Sequence, residues 1–139
     1  MTTRLIAMVD WAATPLGLLE TWPQSLKSTV SLVLASGHAM CIAWGPGRTF
    51  IYNDAYAPFL GARHPSAMGK AFKDVWSDVW TDVAPLVDRV FAGETVSFTD
   101  MHLVMTRNGY PEDTWWSFSC SPLRDETGDV LIGVMTNSK

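Results

Sequence analysis

The sequence predicts an α+β fold built on an antiparallel sheet, and three observations carry that expectation. The hydrophobic period is near four in residues 23–37, near two in 39–52, helical again in 77–92 and near two to the end. Turn-forming residues stand where strands meet, at Gly45-Pro46-Gly47, Arg107–Pro111 and Asp125–Gly128. The order is helix, two strands, several short helices and three strands, with no βαβ alternation. At 139 residues and 47% apolar content the chain suits one domain with one core.

Each element follows from local chemistry. Thr14-Pro15 and Trp22-Pro23 each predict a helix start, because proline in a first turn lacks only an N–H that would go unpaired. From Pro23, Leu26, Val30, Val33 and Leu34 form one stripe of an amphipathic helix that Gly37 stops. Met40, Ile42 and Trp44 then alternate with Cys41 and Ala43, the Gly-Pro-Gly turn reverses the chain, and Thr49–Tyr52 returns as the second half of a hairpin. Short helices are expected at Asp54–Leu60 and Pro65–Met68, each ending in glycine. A longer one carries Val79, Val83, Leu86, Val87 and Val90 on one face, with Pro85 inside as a kink or a first-turn residue. Val96–Thr106, Thr114–Leu123 and Val130–Thr136 complete the strands.

Composition narrows the function classes. A net charge of −4 with scattered Lys and Arg offers no basic face for nucleic acid. Residues 28–47 lack Asp, Glu, Lys and Arg, but serines, Gly37 and His38 interrupt the run, so a helix end followed by a buried strand explains it better than a membrane span. The Leu5–Val9 run is too short for a signal-peptide core, which makes a cytoplasmic protein the expectation. Cys41 and Cys120 suit reduced thiols rather than a disulfide framework.

No metal or catalytic pattern stands out. His38, His64 and His102 show none of the short spacings that ligate metals, so no metal site is expected. Ser119, Cys120 and Ser121 lie within a strand rather than on a nucleophile turn. Gly45-Pro46-Gly47 has no following Lys-Ser/Thr to make a phosphate loop, and Asp74, Asp78, Asp82 and Asp88 read as a solvated acidic face. The domain itself is expected to be non-catalytic. Asn53-Asp54, between a strand and a helix, reads as a structural hinge whose side chains cap the next turn.

In this order and spacing the elements resemble a PAS domain. The motifs are Asn53-Asp54-Ala55-Tyr56 followed by Leu60-Gly61, and the late hairpin from Arg107 to Met135. The leading Asp10-Trp11, Thr14-Pro15-Leu16-Gly17 and Trp22-Pro23 look like the lead-in of PAS modules at the front of bacterial sensor histidine kinases. The resemblance implies a five-stranded antiparallel sheet of order 2-1-5-4-3, short helices on one face and an N-terminal amphipathic helix. It divides the chain into a lead-in, residues 1–37, and a PAS core, residues 38–139. In that order the last strand separates Cys41 from Cys120, which puts a disulfide between them out of reach.

The functional expectations are those of a sensor in a two-component system. The resemblance implies a homodimer and a kinase or other output domain joined after the last strand. There Thr136 keeps one half of the family's Asp-x-Thr capping motif without its acidic partner. The long helix offers no histidine to a haem, and no cysteine follows the Asn-x-Ala helix for a covalent flavin, so neither cofactor is expected. A small apolar ligand is left, in a pocket for which Trp44, Tyr52, Trp76, Trp80, Phe118 and Met135 are candidates; a filled core is the competing reading. Trp115 and Trp116 must face opposite sides of their strand, which predicts one of them under the N-terminal helix or in a dimer interface. The alternatives are a small cone-fold enzyme using Asp100 or His102 in a hydrophobic pocket, and a ligand-free dimerisation module.

Overall fold

A computed structural model describes residues 2–45, 47–123 and 130–138. Five helices, α1 (Thr2–Met8), α2 (Gln24–Ala35), α3 (Ala57–Leu60), α4 (Phe72–Val75) and α5 (Trp80–Phe91), accompany five strands. The strands are β1 (Ala39–Trp44), β2 (Thr49–Tyr52), β3 (Val96–Met105), β4 (Glu112–Leu123) and β5 (Val130–Ser138). They form one antiparallel sheet in the order β2-β1-β5-β4-β3. The α+β class and the order implied by the resemblance are therefore those of the structure.

Strand parity sorts the core into two layers. Cys41, Ala43, Phe50 and Tyr52 share the face under α3–α5, because Cys41 pairs with Tyr52 and Ala43 with Phe50. Ile42, Trp44 and Ile51 point the other way and are nevertheless buried, so that half of the second face is also covered. The cover is the N-terminal segment. Leu26, Val30 and Val33 of α2 are buried, which spends the amphipathic stripe within the chain. Trp11 and Trp22 pack edge to face at 4.8 Å, and their indole nitrogens donate to the carbonyls of Ile6 and Gly17. Pro15 lies so close to Gly47 that any Cβ there would collide with its ring, which fastens the lead-in to the β1–β2 turn.

Asn53 joins the layers. Its fully buried carboxamide accepts from the amides of Met40 (3.2 Å) and Tyr56 (3.0 Å). The same group donates to the carbonyls of Val33 (2.9 Å), His38 (2.8 Å) and Ser36 (3.4 Å). One side chain thus ties the end of α2, the start of β1 and the turn before α3. Asp54 is exposed.

Three local expectations are corrected. Thr14-Pro15 starts no helix; Thr14 closes the 3₁₀ turn Trp11–Ala13, and its hydroxyl accepts the Leu16 amide. The helix foreseen at Asp54–Leu60 is a hydrogen-bonded turn for its first three residues and α-helical only from Ala57. Pro65–Met68 is a set of turns, because the chain beyond it is drawn along the free edge of β2. There the Gly69 amide donates to Phe50 O, the Phe50 amide to Lys70 O and the Phe72 amide to Arg48 O. Thr49 and Ala71 form a bridge, so this segment shields an edge that would otherwise template foreign strands. At the opposite edge, β3 is bulged between Phe98 and Met101, with Asp100 at φ 54°. The Asp125–Gly128 turn lies outside the described residues.

Candidate functional site

Between the sheet and α5 lies an apolar cavity of about 70 Å³. Its floor is Cys41 of β1, Leu103 and Met105 of β3, and Trp116, Phe118 and Cys120 of β4. The period of two on each strand delivers these residues to one face. Tyr56, Phe72 and Trp76 close one end, and Val79, Val83, Leu86, Val87 and Val90 form the wall at helical spacing. Val83, Leu86, Phe118 and Cys120 are half-buried whereas Cys41, Tyr56, Trp76 and Trp116 are buried, so the mouth opens between α5 and β4.

The two tryptophans that line the cavity are held from behind. The Arg107 guanidinium lies over Trp116 at 5.3 Å, donates to Phe59 O at 2.8 Å and pairs with Glu112. Arg63 lies over Trp76 at 5.5 Å, donates to Val75 O and pairs with Asp78 at 2.9 Å. Asp78 also accepts the Thr106 amide at 2.7 Å. Burial pushes the Asp78 carboxyl up, but the bonds from Arg63 and Thr106 and the Arg63 charge outweigh it and hold it below 3.8. Asn108 Oδ1 accepts the Ala62 amide, and Gly61 at φ +56° leaves room for the Asn108 side chain. Together these contacts clasp the β3–β4 turn onto the α3 region.

Among the described lining residues the phenol is that of Tyr56. Burial, the neighbouring Cys41 and Cys120, and a hydrogen bond to Cys41 all raise its phenol well above 10.0, while a bond from Trp76 acts the other way. Burial also pushes the Cys120 thiol up to about 11. Cys41 and Cys120 flank Gly133 in register, one strand to each side, and both are thiols. Among the described residues no charged side chain lines this space, and no cluster of His, Cys, Asp or Glu could hold a metal ion.

The anticipated pocket residues divide. Trp76 and Phe118 line the cavity. Trp44 does not, because it lies one residue out of phase with Cys41 and faces the N-terminal layer. Tyr52 is on the cavity face but at the outer strand, where its hydroxyl meets His64 Nδ1 at 2.7 Å and burial pushes its pKa up to about 12. Trp80 packs edge-on against Phe72, away from the opening. Met135 pairs with Ala39 and Phe118 on β5; its side chain lies outside what is described. Sequence reading missed Tyr56 and Cys41, although Tyr56 is the aromatic of the Asn-x-Ala-aromatic motif and Cys41 is in phase with Ala43.

Two further expectations are settled by position. Trp116 is fully buried at the cavity, whereas Trp115 is 39% exposed and lies beside the His102 ring at 5.0 Å, so the N-terminal helix does not cover it. His102 faces outward onto Asp113 at 2.9 Å, and Asp100 sits on the bulge; neither lines the cavity as the enzyme reading requires.

A sheet of this order, with helices over one face and an apolar cavity between them, defines an α+β class of fold. The chain belongs to the PAS fold family, whose sequence profile matches residues 34–138. No curated relative matches it. Among solved structures it is similar to the PAS domain of BvgS from Bordetella pertussis, at 20% identity and a TM-score of 0.59 over 83% of this chain and 87% of that one. It is also similar to a domain of a sensory box sensor histidine kinase/response regulator from Geobacter sulfurreducens, at 16% identity and 0.55 over 81% and 94%. A LOV protein from Rhodobacter sphaeroides follows at 14% identity and 0.58 over 82% and 67%. No helix among the described residues is long and apolar enough to cross a membrane.

Proposed function

We propose that this PAS domain is the cytoplasmic sensory module of a signalling protein, a two-component histidine kinase, with no catalysis of its own. Residues 1–37 act as a helical cap on the core 38–139. Occupancy or repacking of the cavity shifts the populations of two sheet arrangements, and a kinase or other output joined after β5 reads the difference within a homodimer. The observation that carries this reading is the cavity's position. It rests on β1 and β4, the two strands that pair with β5, so a change in its contents acts on both neighbours of the strand that leads out. A domain of a sensor histidine kinase/response regulator is among the structural neighbours, which supports the choice of output.

Filling the cavity without a ligand tests the mechanism. Val83→Phe places a ring at the mouth, and the expected result is backbone chemical-shift change spreading from the lining to residues 130–138. Shifts confined to the lining side chains would remove the proposed route.

A further inference from the structure

We propose that the cavity takes the bare hydrocarbon end of a small molecule, roughly three carbons long, and rejects any hydrogen-bonding group within that length. The inference deepens the sensory reading and rests on it. Two observations carry it. The described lining turns almost no polar surface to the space, although Cys41, Tyr56, Trp76 and Cys120 belong to it. Independently, no buried side-chain nitrogen or oxygen among the described residues lacks a hydrogen-bond partner. A guest therefore meets no donor or acceptor waiting for it. A hydroxyl, carbonyl or charge carried inside gives up its bonds to water and gains none in return. Water itself needs several polar partners to settle in a cavity, so a hydrocarbon enters without breaking hydrogen bonds.

Shape sets the length. Tyr56, Phe72 and Trp76 close the inner end, and the mouth lies between α5 and β4, where Leu86 and Phe118 are half-buried. An apolar cavity of about 150 Å³ holds a benzene ring, and this one encloses about 70 Å³. By that proportion roughly three carbons are enclosed. A longer chain emerges at the mouth, and a polar group placed there regains its water.

NMR titration of the isotope-labelled whole chain decides the matter with xenon, propane, ethanol and pentan-1-ol. Propane and ethanol share one heavy-atom skeleton and differ by a methyl against a hydroxyl. Xenon and propane are expected to perturb the lining residues saturably, with ethanol at least about tenfold weaker than propane. Any smaller gap overturns the selection and leaves the sensory cavity standing while xenon still binds. Xenon binding without propane overturns the length. Pentan-1-ol separates two sources of the same hydrocarbon end. Saturable binding at the lining marks a longer chain that leaves through the mouth, and its absence marks a free hydrocarbon of enclosed size. Val83→Phe, which fills the mouth, is expected to abolish the propane response, and propane bound unaltered in that variant overturns the location. No response to xenon in the parent protein overturns the cavity itself, and the sensory reading with it. If Val83→Phe fails to fold, the propane–ethanol gap in the parent protein decides alone.

Discussion

Replacing Asn53 by alanine removes five hydrogen bonds with one carboxamide. Not all of the groups left behind are orphaned. The Tyr56 amide keeps a bond to the Asn53 carbonyl at 3.1 Å, and the Val33 carbonyl keeps the Ser36 amide at 3.3 Å. The Met40 amide and the carbonyls of His38 and Ser36 lose the partners described for them, inside the junction of two layers. At about 1–3 kcal/mol for each buried group left unpaired, and with all three only partly buried, the expected loss is about 3 kcal/mol, the low end for each. A lone helix cap would cost about 1 kcal/mol. The assay is urea unfolding, read as a lower midpoint at unchanged slope. Asn53→Asp sharpens it. The acid keeps the acceptor for Met40 and Tyr56 but turns its second oxygen toward three carbonyls, so it is expected to be no more stable than alanine at neutral pH. A loss of about 1 kcal/mol or less in the alanine variant, or an aspartate variant as stable as the parent, would refute the bracing role.

The remaining predictions concern charge and association. Asp78 is held below 3.8, so its stabilisation is present in full above that value and lost as pH falls through the lower folded one. Asp78→Asn should flatten the acid limb of a melting-temperature profile, and an unchanged limb would contradict the Arg63–Thr106 account. Tyr52, pushed up to about 12, and Tyr56, which burial also pushes well above 10.0, are neutral in the folded protein. Their contribution is complete below pH 10.0 and lost as pH rises toward 12. An ultraviolet titration showing all tyrosines ionised in still-folded protein at about pH 11 would oppose it. Trp115→Ser should leave the unfolding midpoint within about 0.5 kcal/mol while shifting sedimentation toward monomer, and an unshifted dimer would remove Trp115 from the interface.

The fold was legible because its punctuation is strong. Glycine and proline mark the β1–β2 turn, and the Leu26–Val30–Val33 stripe marks a helix face to be covered, by the sheet's other face or by a partner's helix. The α5 stripe was legible for the same reason, although Pro85 falls inside the helix rather than in its first turn. The cavity was less legible, because aromatic identity was taken as the signal where strand phase decides. Trp44 is large and apolar, but Cys41 and Ala43 own the inward phase of β1. Trp80 fits the helical region by composition and misses the opening by one step of the helix. The turns at Pro65–Met68 were hidden for another reason: their backbone serves the distant edge of β2, which no local pattern records. Asn53 was read as a cap, whereas its partners at Val33 and His38 appear only once the N-terminal layer has folded back.

The strand that comes last in sequence lies at the centre of the sheet. β1–β2 and β3–β4 are each a pair of neighbours in the chain, yet among the described residues no ladder joins one pair to the other except through β5. During synthesis the two hairpins therefore emerge as separate leaves. The sheet becomes continuous only when residues 130–138 slot between them, along six paired positions on the β1 side and eight on the β4 side. The binding floor shared by Cys41 and Cys120 does not exist before that insertion, so the wedge that completes the sheet also creates the chamber.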